Sequence, residues 1–175
     1  NALSTIKKYP DADPQRIAIV GHSMGGNITL HELVITKEIK AAVILSGVVG
    51  VYSDILTWFD NRTATGVLTT QNDQHAARGL KQLIQENSTP EKNPLFWQSI
   101  DPINFLSDVS IPVQIQVGGK DQVVPPDFSI ALKEKLQHAG KTVDFHEYPY
   151  ADHNLSPDTT VALNQAIIFL NTYLK

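Results

Sequence analysis

The chain has 175 residues, no cysteine and a formal net charge of −4, without any block of like charges. This length suffices for one domain with an apolar core, and the charge argues against nucleic acid or an anionic membrane as the main partner. The lack of cysteine excludes disulfides, thiolate catalysis and cysteine-type metal sites. No apolar run approaches the ~20 residues of a membrane span, so we predict no membrane span.

Helices and strands alternate along the first part of the chain. Apolar spacing predicts a helix over residues 2–9, and a short apolar run predicts a buried strand at 17–20. A helical pattern follows from Asn27 to about Thr36. Residues 41–45 are all apolar and predict a second buried strand, of the kind found in parallel sheets.

The same alternation returns in the last third of the chain. Residues 111–117 and 143–148 alternate apolar and polar, which predicts two further strands. Helices are predicted over 128–138 and 159–174. This order predicts an α/β fold, a mainly parallel sheet flanked by helices, over residues 1–175 as a single domain. The core candidates on the closing helix are Val161, Ile167, Ile168 and Leu170.

Residues 48–99 differ from the rest because they lack strand alternation and carry scattered aromatic side chains. We interpret them as helices and loops inserted above the sheet. One interpretation is a cap-like insert that shapes a substrate pocket, with Trp58 and Phe59 among the pocket candidates. The alternative is a cover for the core, and both stay open for any single aromatic residue.

Residues 17–26 carry the clearest chemical signal. The predicted strand runs into Gly-x-Ser-x-Gly at 21–25 and a helix follows, which is the context of a nucleophile elbow. Ser23 would sit at the tip of a strained turn with its hydroxyl pointing outward. Gly21 and Gly25 are expected to avoid collisions across the turn, and Gly26 is expected to let the helix pack close to the strand.

Two neighbours of Ser23 complete the expected elbow. The backbone N–H of Met24, at a helix N-terminus, would face an oxyanion that forms beside Ser23. His22 adjoins Ser23, so a sharp turn would point the two side chains differently, and we predict that His22 is a wall of the pocket. The alternative to an elbow is a glycine-rich turn with an incidental serine.

A serine hydroxyl needs a base to take its proton, and a catalytic histidine needs an acid that fixes its tautomer. Ser23, Asp121 and His153 each follow a predicted strand, and ligands of parallel sheets bind at that edge. Asp152 and Glu147 are the alternative acids. The other histidines lie in predicted helices, in the insert, within a strand or beside Ser23. Val124, just after Asp121, joins the pocket candidates.

Three segments carry a family resemblance. Residues 13–26, 111–125 and 148–154 resemble the α/β-hydrolase superfamily, and more narrowly the catalytic domains of prolyl-oligopeptidase-type serine hydrolases. Related esterases and dienelactone-hydrolase-like enzymes share these motifs. The resemblance implies Ser23 as nucleophile, His153 as base and Asp121 as orienting acid, with no metal or organic cofactor.

The resemblance also implies an incomplete fold. The family's sheet has about eight strands, and the sequence supplies the later four, without the loop that carries the second oxyanion donor. Because the chain opens at Asn1 without a Met, we expect a leader or an N-terminal half to be missing. Otherwise, the open edge of the elbow strand is expected to close by self-association.

The function expected first is a serine hydrolase that cleaves carboxylic esters through an acyl-enzyme, because an alkoxide leaves more easily than an amine. A serine peptidase of prolyl-oligopeptidase type is the alternative. The other alternative is a noncatalytic hydrolase-like domain that binds a partner or a small ligand. The expected substrate is therefore a small ester or a peptide.

Overall fold

The computed structural model describes residues 2–66 and 71–175. Four strands form one sheet in this part of the chain: β1 (Ala18–His22), β2 (Ala41–Leu45), β3 (Val113–Gly118) and β4 (Val143–Tyr148). A 3₁₀ helix, Pro102–Asp108, precedes β3. The α-helices are α1 (Ala2–Ile6), α2 (Met24–Ile35), α3 (Tyr52–Ala64), α4 (Gln71–Asn87), α5 (Pro94–Ile100), α6 (Pro126–His138) and α7 (Thr159–Tyr173).

All strand pairs are parallel, and the spatial order is β1-β2-β3-β4. Ala18 pairs with Ala41 and Val113 pairs with Val143, so the carboxyl ends of all four strands lie at one edge of the sheet. The predicted α/β class with a parallel sheet flanked by helices is confirmed. Two predicted boundaries are wrong: α2 begins earlier, at Met24, directly at the elbow, and β1 ends later, at His22, beyond the first glycine of the motif.

The chain divides into two compact units. The sheet unit comprises Asn1–Val49 and Phe105–Lys175, and the helical unit comprises Gly50–Asn104. In the helical unit the rings of Tyr52 and Trp97 lie 5.4 Å apart, and the Asp101 carboxylate accepts the backbone N–H of Tyr52. Burial, and next the nearby Asp101, raise the pKa of Tyr52 above its ordinary value. Whether residues 48–99 act as a cap stays a prediction.

β3 buries all six of its residues, including two glutamines. Gln116 Nε2 donates to Gln114 Oε1 (2.6 Å) and to the Ala162 carbonyl of α7 (3.0 Å). Gln116 Oε1 accepts from the Tyr148 hydroxyl at 2.9 Å, and Gln114 Nε2 donates to Asp144 Oδ2 at 2.7 Å. The polar half of the alternating pattern is thus satisfied inside the core, as buried polar groups require.

Helix α7 meets the sheet through a different face from the one predicted. Val161, Ile167 and Ile168 are 51%, 55% and 61% exposed, so three of the four predicted core positions are wrong. Leu170 is half-buried and packs against the core. The buried face consists of two alanines and Phe169. Small residues there let the helix backbone come within hydrogen-bond reach of the β3 glutamines.

None of the helices in the described ranges is both long enough and apolar enough to traverse a bilayer.

Candidate active site

Ser23 lies between β1 and α2 with φ 56° and ψ −121°, a conformation that non-glycine residues rarely adopt. Its side chain caps no backbone N–H of α2, so its hydroxyl is not committed to the helix. A Cβ at Gly21 would overlap the Gly25 carbonyl and Thr29 Oγ1. The strained turn and the expected need for glycine at position 21 are therefore confirmed.

The prediction is wrong for Gly25 and holds in part for Gly26. A Cβ at Gly25 would meet no atom within 4 Å, so the expected collision there is wrong. A Cβ at Gly26 would lie 2.7 Å from Gly47 Cα and 3.0 Å from Ile44 Cγ2. Close packing at Gly26 is confirmed, but it is made against β2 and the turn after it.

Hydrogen bonds between the elbow and the turn after β2 stabilise the elbow. The Ser23 N–H donates to Leu45 O, the Val48 N–H donates to Ser23 O, and Asn27 Nδ2 donates to Val48 O, each at 3.0 Å. Ser46, which lies in this turn, is buried at φ 46°, and its Oγ is without a hydrogen-bond partner in the part of the chain that the structure describes. Sequence reasoning assigned Ser46 no role, although Ser46-Gly47 directly follows an apolar strand.

Met24 is the first residue of α2, so its N–H has no acceptor within the helix. Partial positive charge at a helix N-terminus favours an anion. Its donation to an oxyanion stays a prediction.

Asp121 is buried in the loop after β3, and both of its carboxylate oxygens are engaged. Oδ1 accepts the backbone N–H groups of Val123 (2.8 Å) and Val124 (2.9 Å). Oδ2 lies 2.8 Å from Nδ1 of His153, whose side chain is 13% exposed. A carboxylate accepts, so Nδ1 of His153 carries a proton, and in the neutral ring Nε2 then has the lone pair. This is the tautomer of a general base.

The acid loop and the histidine loop lie against each other. A Cβ at Gly118 would overlap the carbonyls of Ala151 and Asp152, so the close approach of the two loops requires glycine. The Gly119 N–H donates to Tyr148 O at 2.8 Å. The backbone geometry, and not only the hydrogen bond between the side chains, therefore brings Asp121 and His153 together.

The alternative acids have other contacts. Asp152 Oδ1 accepts the backbone N–H groups of Asn154 (2.9 Å) and Ser156 (3.0 Å), which stabilises the histidine loop. Glu147 is exposed on β4. Asp121 is thus the acid that the structure brings to the His153 ring.

His22 contacts His153, a pair that sequence reasoning did not identify. The exposed His22 ring lies 3.0 Å, through Nε2, from the His153 carbonyl, and the two ring centroids are 4.7 Å apart. Among the described residues, the hydrogen bonds include the Asp121–His153 pair but not one from Ser23 Oγ to His153. Such bonds are often long in a free enzyme and tighten with substrate.

The remaining pocket candidates have structural contacts of their own. Val124 is buried beside Asp121. In the helical unit, Phe59 is buried, and the half-buried Trp58 packs edge-on against it with centroids 4.7 Å apart. Their place in a substrate pocket stays a prediction. No group of three or more His, Asp or Glu side chains suited to a metal ion occurs within the described ranges.

A family model described as "alpha/beta hydrolase fold" matches residues 1–156. Among curated proteins, "Uncharacterized peptidase YtmA" of Bacillus subtilis (strain 168) is 26% identical over 157 residues, which are 90% of this chain. The chain spans about half of that relative, 55% of its length.

Solved structures show the same fold. A puromycin-hydrolyzing peptidase from Mycobacterium tuberculosis superimposes with a TM-score of 0.73 at 22% identity, over 99% of this chain and 24% of the peptidase. Acetyl Xylan Esterase 1 from Thermoanaerobacterium sp. JW/SL YS485 gives 0.64 at 19% identity, over 97% of this chain and 50% of the esterase.

Proposed function

The chain belongs to the α/β-hydrolase fold family, and from that premise we propose that it is a serine hydrolase with Ser23 as nucleophile, His153 as base and Asp121 as orienting acid. The observation that carries the proposal is the 2.8 Å bond between Asp121 Oδ2 and His153 Nδ1. It presets the base tautomer in a chain whose Ser23 occupies a strained elbow. The family expected from the sequence is confirmed, as is the resemblance to prolyl-oligopeptidase-like peptidases.

The proposed reaction begins when Ser23 Oγ attacks the substrate carbonyl carbon while His153 Nε2 takes the hydroxyl proton. The carbonyl oxygen becomes an oxyanion, which the Met24 N–H stabilises. When the intermediate collapses, His153 returns the proton to the leaving group and Ser23 stays acylated. Water then attacks the acyl carbon, with His153 again as base, and the acid product leaves with Ser23 restored.

Asp121 stabilises the imidazolium that forms twice in this cycle. Its buried carboxylate faces the ring at Nδ1, and two backbone N–H groups hold its other oxygen in place. Because burial excludes water from the carboxylate, its attraction to the charged ring is only weakly screened.

For the substrate we propose a peptide or another amide bond. The name of the Bacillus relative, a peptidase, supports this choice over the ester that leaving-group chemistry alone favours. Carboxylic ester hydrolysis is the second candidate, supported by the easier departure of an alkoxide and by the esterase among the structures that share the fold.

The first experiment is covalent labelling with a fluorophosphonate probe, which reports an activated serine without any choice of substrate. We expect labelling of the wild type and its loss in Ser23→Ala and His153→Ala. His138→Ala is the matched control, since the bond that the described residues give this histidine is to the Glu134 carbonyl within α6. Labelling that persists in Ser23→Ala would contradict the role of Ser23 as nucleophile. A folded wild type that does not react would contradict the proposal and favour a noncatalytic binding domain.

A panel of aminoacyl p-nitroanilides and p-nitrophenyl esters of matched acyl groups then separates the two substrate classes. We expect the anilides to be cleaved with Ser23 dependence. Cleavage restricted to the esters would establish the second candidate.

As the alternative to a missing N-terminal half, we propose self-association through β1. β2 is the hydrogen-bonded neighbour of β1 within the described residues, and Val20 on β1 is 52% exposed. An open strand edge favours pairing. Light scattering should give a mass that rises with concentration, and a monomer throughout would contradict this alternative.

A further inference from the structure

We infer that His22 is a positioning residue for His153, which it holds by donating a hydrogen bond to the His153 carbonyl. The inference rests on the proposed function, in which His153 is the base, and adds to it a second anchor for that base. A backbone carbonyl can only accept, so the 3.0 Å approach of His22 Nε2 places the proton on that nitrogen.

The need for such an anchor follows from the sheet order. β1 and β4 are the outer strands of the four, three strand spacings apart, which corresponds to ~14 Å. Ser23 follows β1, whereas His153 follows β4. The loop after β4 must therefore cross the carboxyl ends of β3 and β2 before His153 can serve Ser23.

Two hydrogen bonds hold His153 from opposite sides of this crossing. Asp121, after β3, holds the ring at Nδ1, and His22, at the end of β1, holds the main chain. Of the described hydrogen bonds of the histidine loop, the one from His22 ties it to β1. The others run within the loop, to residues 119–121 or to Thr159.

The donor, His22, is the last residue of strand β1 and directly precedes the proposed nucleophile. His22 pairs with Leu45 in the β1–β2 register, and the next residue is Ser23. Any shift of the His153 main chain relative to β1 changes the distance between the base and the nucleophile. A displacement of about 1 Å can lower a rate by about 100-fold.

The test compares His22→Phe, which keeps a ring but cannot donate, with His22→Gln, whose side-chain amide restores a donor at the distance of Nε2. His138→Phe is the matched control because it also removes a histidine that bonds a carbonyl, that of Glu134 at 2.8 Å, remote from the loop. Two readouts are made: the proton NMR signal of His153 Nδ1–H, and the second-order rate of fluorophosphonate labelling.

We expect His22→Phe to broaden the Nδ1–H signal by exchange with water and to slow labelling about 10- to 100-fold. His22→Gln should recover both, and His138→Phe should leave both unchanged. An unaltered signal and rate in His22→Phe, or a failure of His22→Gln to recover them, would overturn the inference. A wild type that does not label refutes the proposed function, while the NMR comparison still decides whether His22 holds His153.

Discussion

β1 and β3 carry the two ends of the proposed triad in opposite surroundings. β3 lies between β2 and β4, buries all six residues, and leads to an Asp121 whose oxygens are both bonded. β1 lies at the edge of the described sheet with Val20 52% exposed. The acid–base half is therefore preset by tertiary packing, whereas the nucleophile half depends on a locally strained turn and its bonds to the turn after β2.

The largest expected effect is the loss of turnover when Asp121, the proposed orienting acid, is replaced. In Asp121→Asn, the amide oxygen can still accept the N–H groups of Val123 and Val124, but the amide NH₂ then faces His153. The ring must accept at Nδ1, so Nε2 carries the proton and cannot act as a base. We expect a loss of roughly 10⁴-fold in turnover, as for the corresponding change in another triad enzyme.

Asp152→Asn is its control because the amide keeps an oxygen for Asn154 and Ser156. Its labelling rate should stay within a few-fold of the wild type. A comparable loss in both variants would mean that removal of any loop carboxylate suffices, against the assigned role of Asp121.

The next largest effect is the difference in stability between alanine substitutions at Gly21 and at Gly25, the two glycines of the motif. Gly21→Ala places a methyl group against the Gly25 backbone, so we expect a loss of about 3 kcal/mol in the free energy of unfolding. Gly25→Ala meets open space inside a helix and should be neutral or stabilising by about 0.5–1 kcal/mol. Urea unfolding of both variants checks this, and equal destabilisation would refute the local geometry of the elbow.

A third prediction concerns the buried glutamines of β3. Gln116→Leu leaves the Tyr148 hydroxyl and the side-chain oxygen Oε1 of Gln114 facing an apolar side chain. We therefore expect the free energy of unfolding to fall by about 2 kcal/mol. Val20→Thr on the exposed strand β1 should change the unfolding free energy by no more than about 0.5 kcal/mol. If both substitutions lower the free energy of unfolding in urea by the same amount, β1 and β3 do not differ in burial as described.

The smallest expected effect is the pH dependence of the contribution that Tyr148 makes to stability. Burial first, and then Asp158 and Asp144, raise the pKa of Tyr148 above its ordinary value of 10.0. The folded state therefore keeps the Tyr148 proton to a higher pH than the unfolded state does. The resulting contribution of Tyr148 to the free energy of unfolding is fully present below about pH 10 and is lost as the pH rises through the raised pKa. Tyr148→Phe also removes the donor to Gln116 and should cost about 1 kcal/mol at pH 8.

This difference between wild type and Tyr148→Phe, measured by urea unfolding, should shrink above pH 10. A difference that stays constant from pH 8 to pH 11 would show that Tyr148 titrates alike in both states.

Much of this architecture could be predicted from local patterns. β2 and β4 have the expected bounds because each is a short patterned run with clear ends. The elbow was identifiable because a strand, Gly-x-Ser-x-Gly and a helix follow one another directly. Ser23, Asp121 and His153 follow three of the four predicted strands, which placed all three at one edge of the sheet.

Long-range packing governs the features that the local patterns missed. Gly25 belongs to the same motif as Gly21, yet only Gly21 faces backbone across the turn. The exposed isoleucines of α7 looked like core residues because their apolarity is local, whereas the choice of buried face depended on how closely the helix approaches β3.

The order of residues was enough to predict the α/β class, the elbow and the three residues of the proposed triad, because strand periodicity and motif spacing act within a few residues. The contacts that orient the base came from folding. His22 and His153 are 131 positions apart, and Asp121 and His153 are 32 apart. No periodicity spans such separations, and only the crossing of the histidine loop over the sheet brings these groups within hydrogen-bond distance.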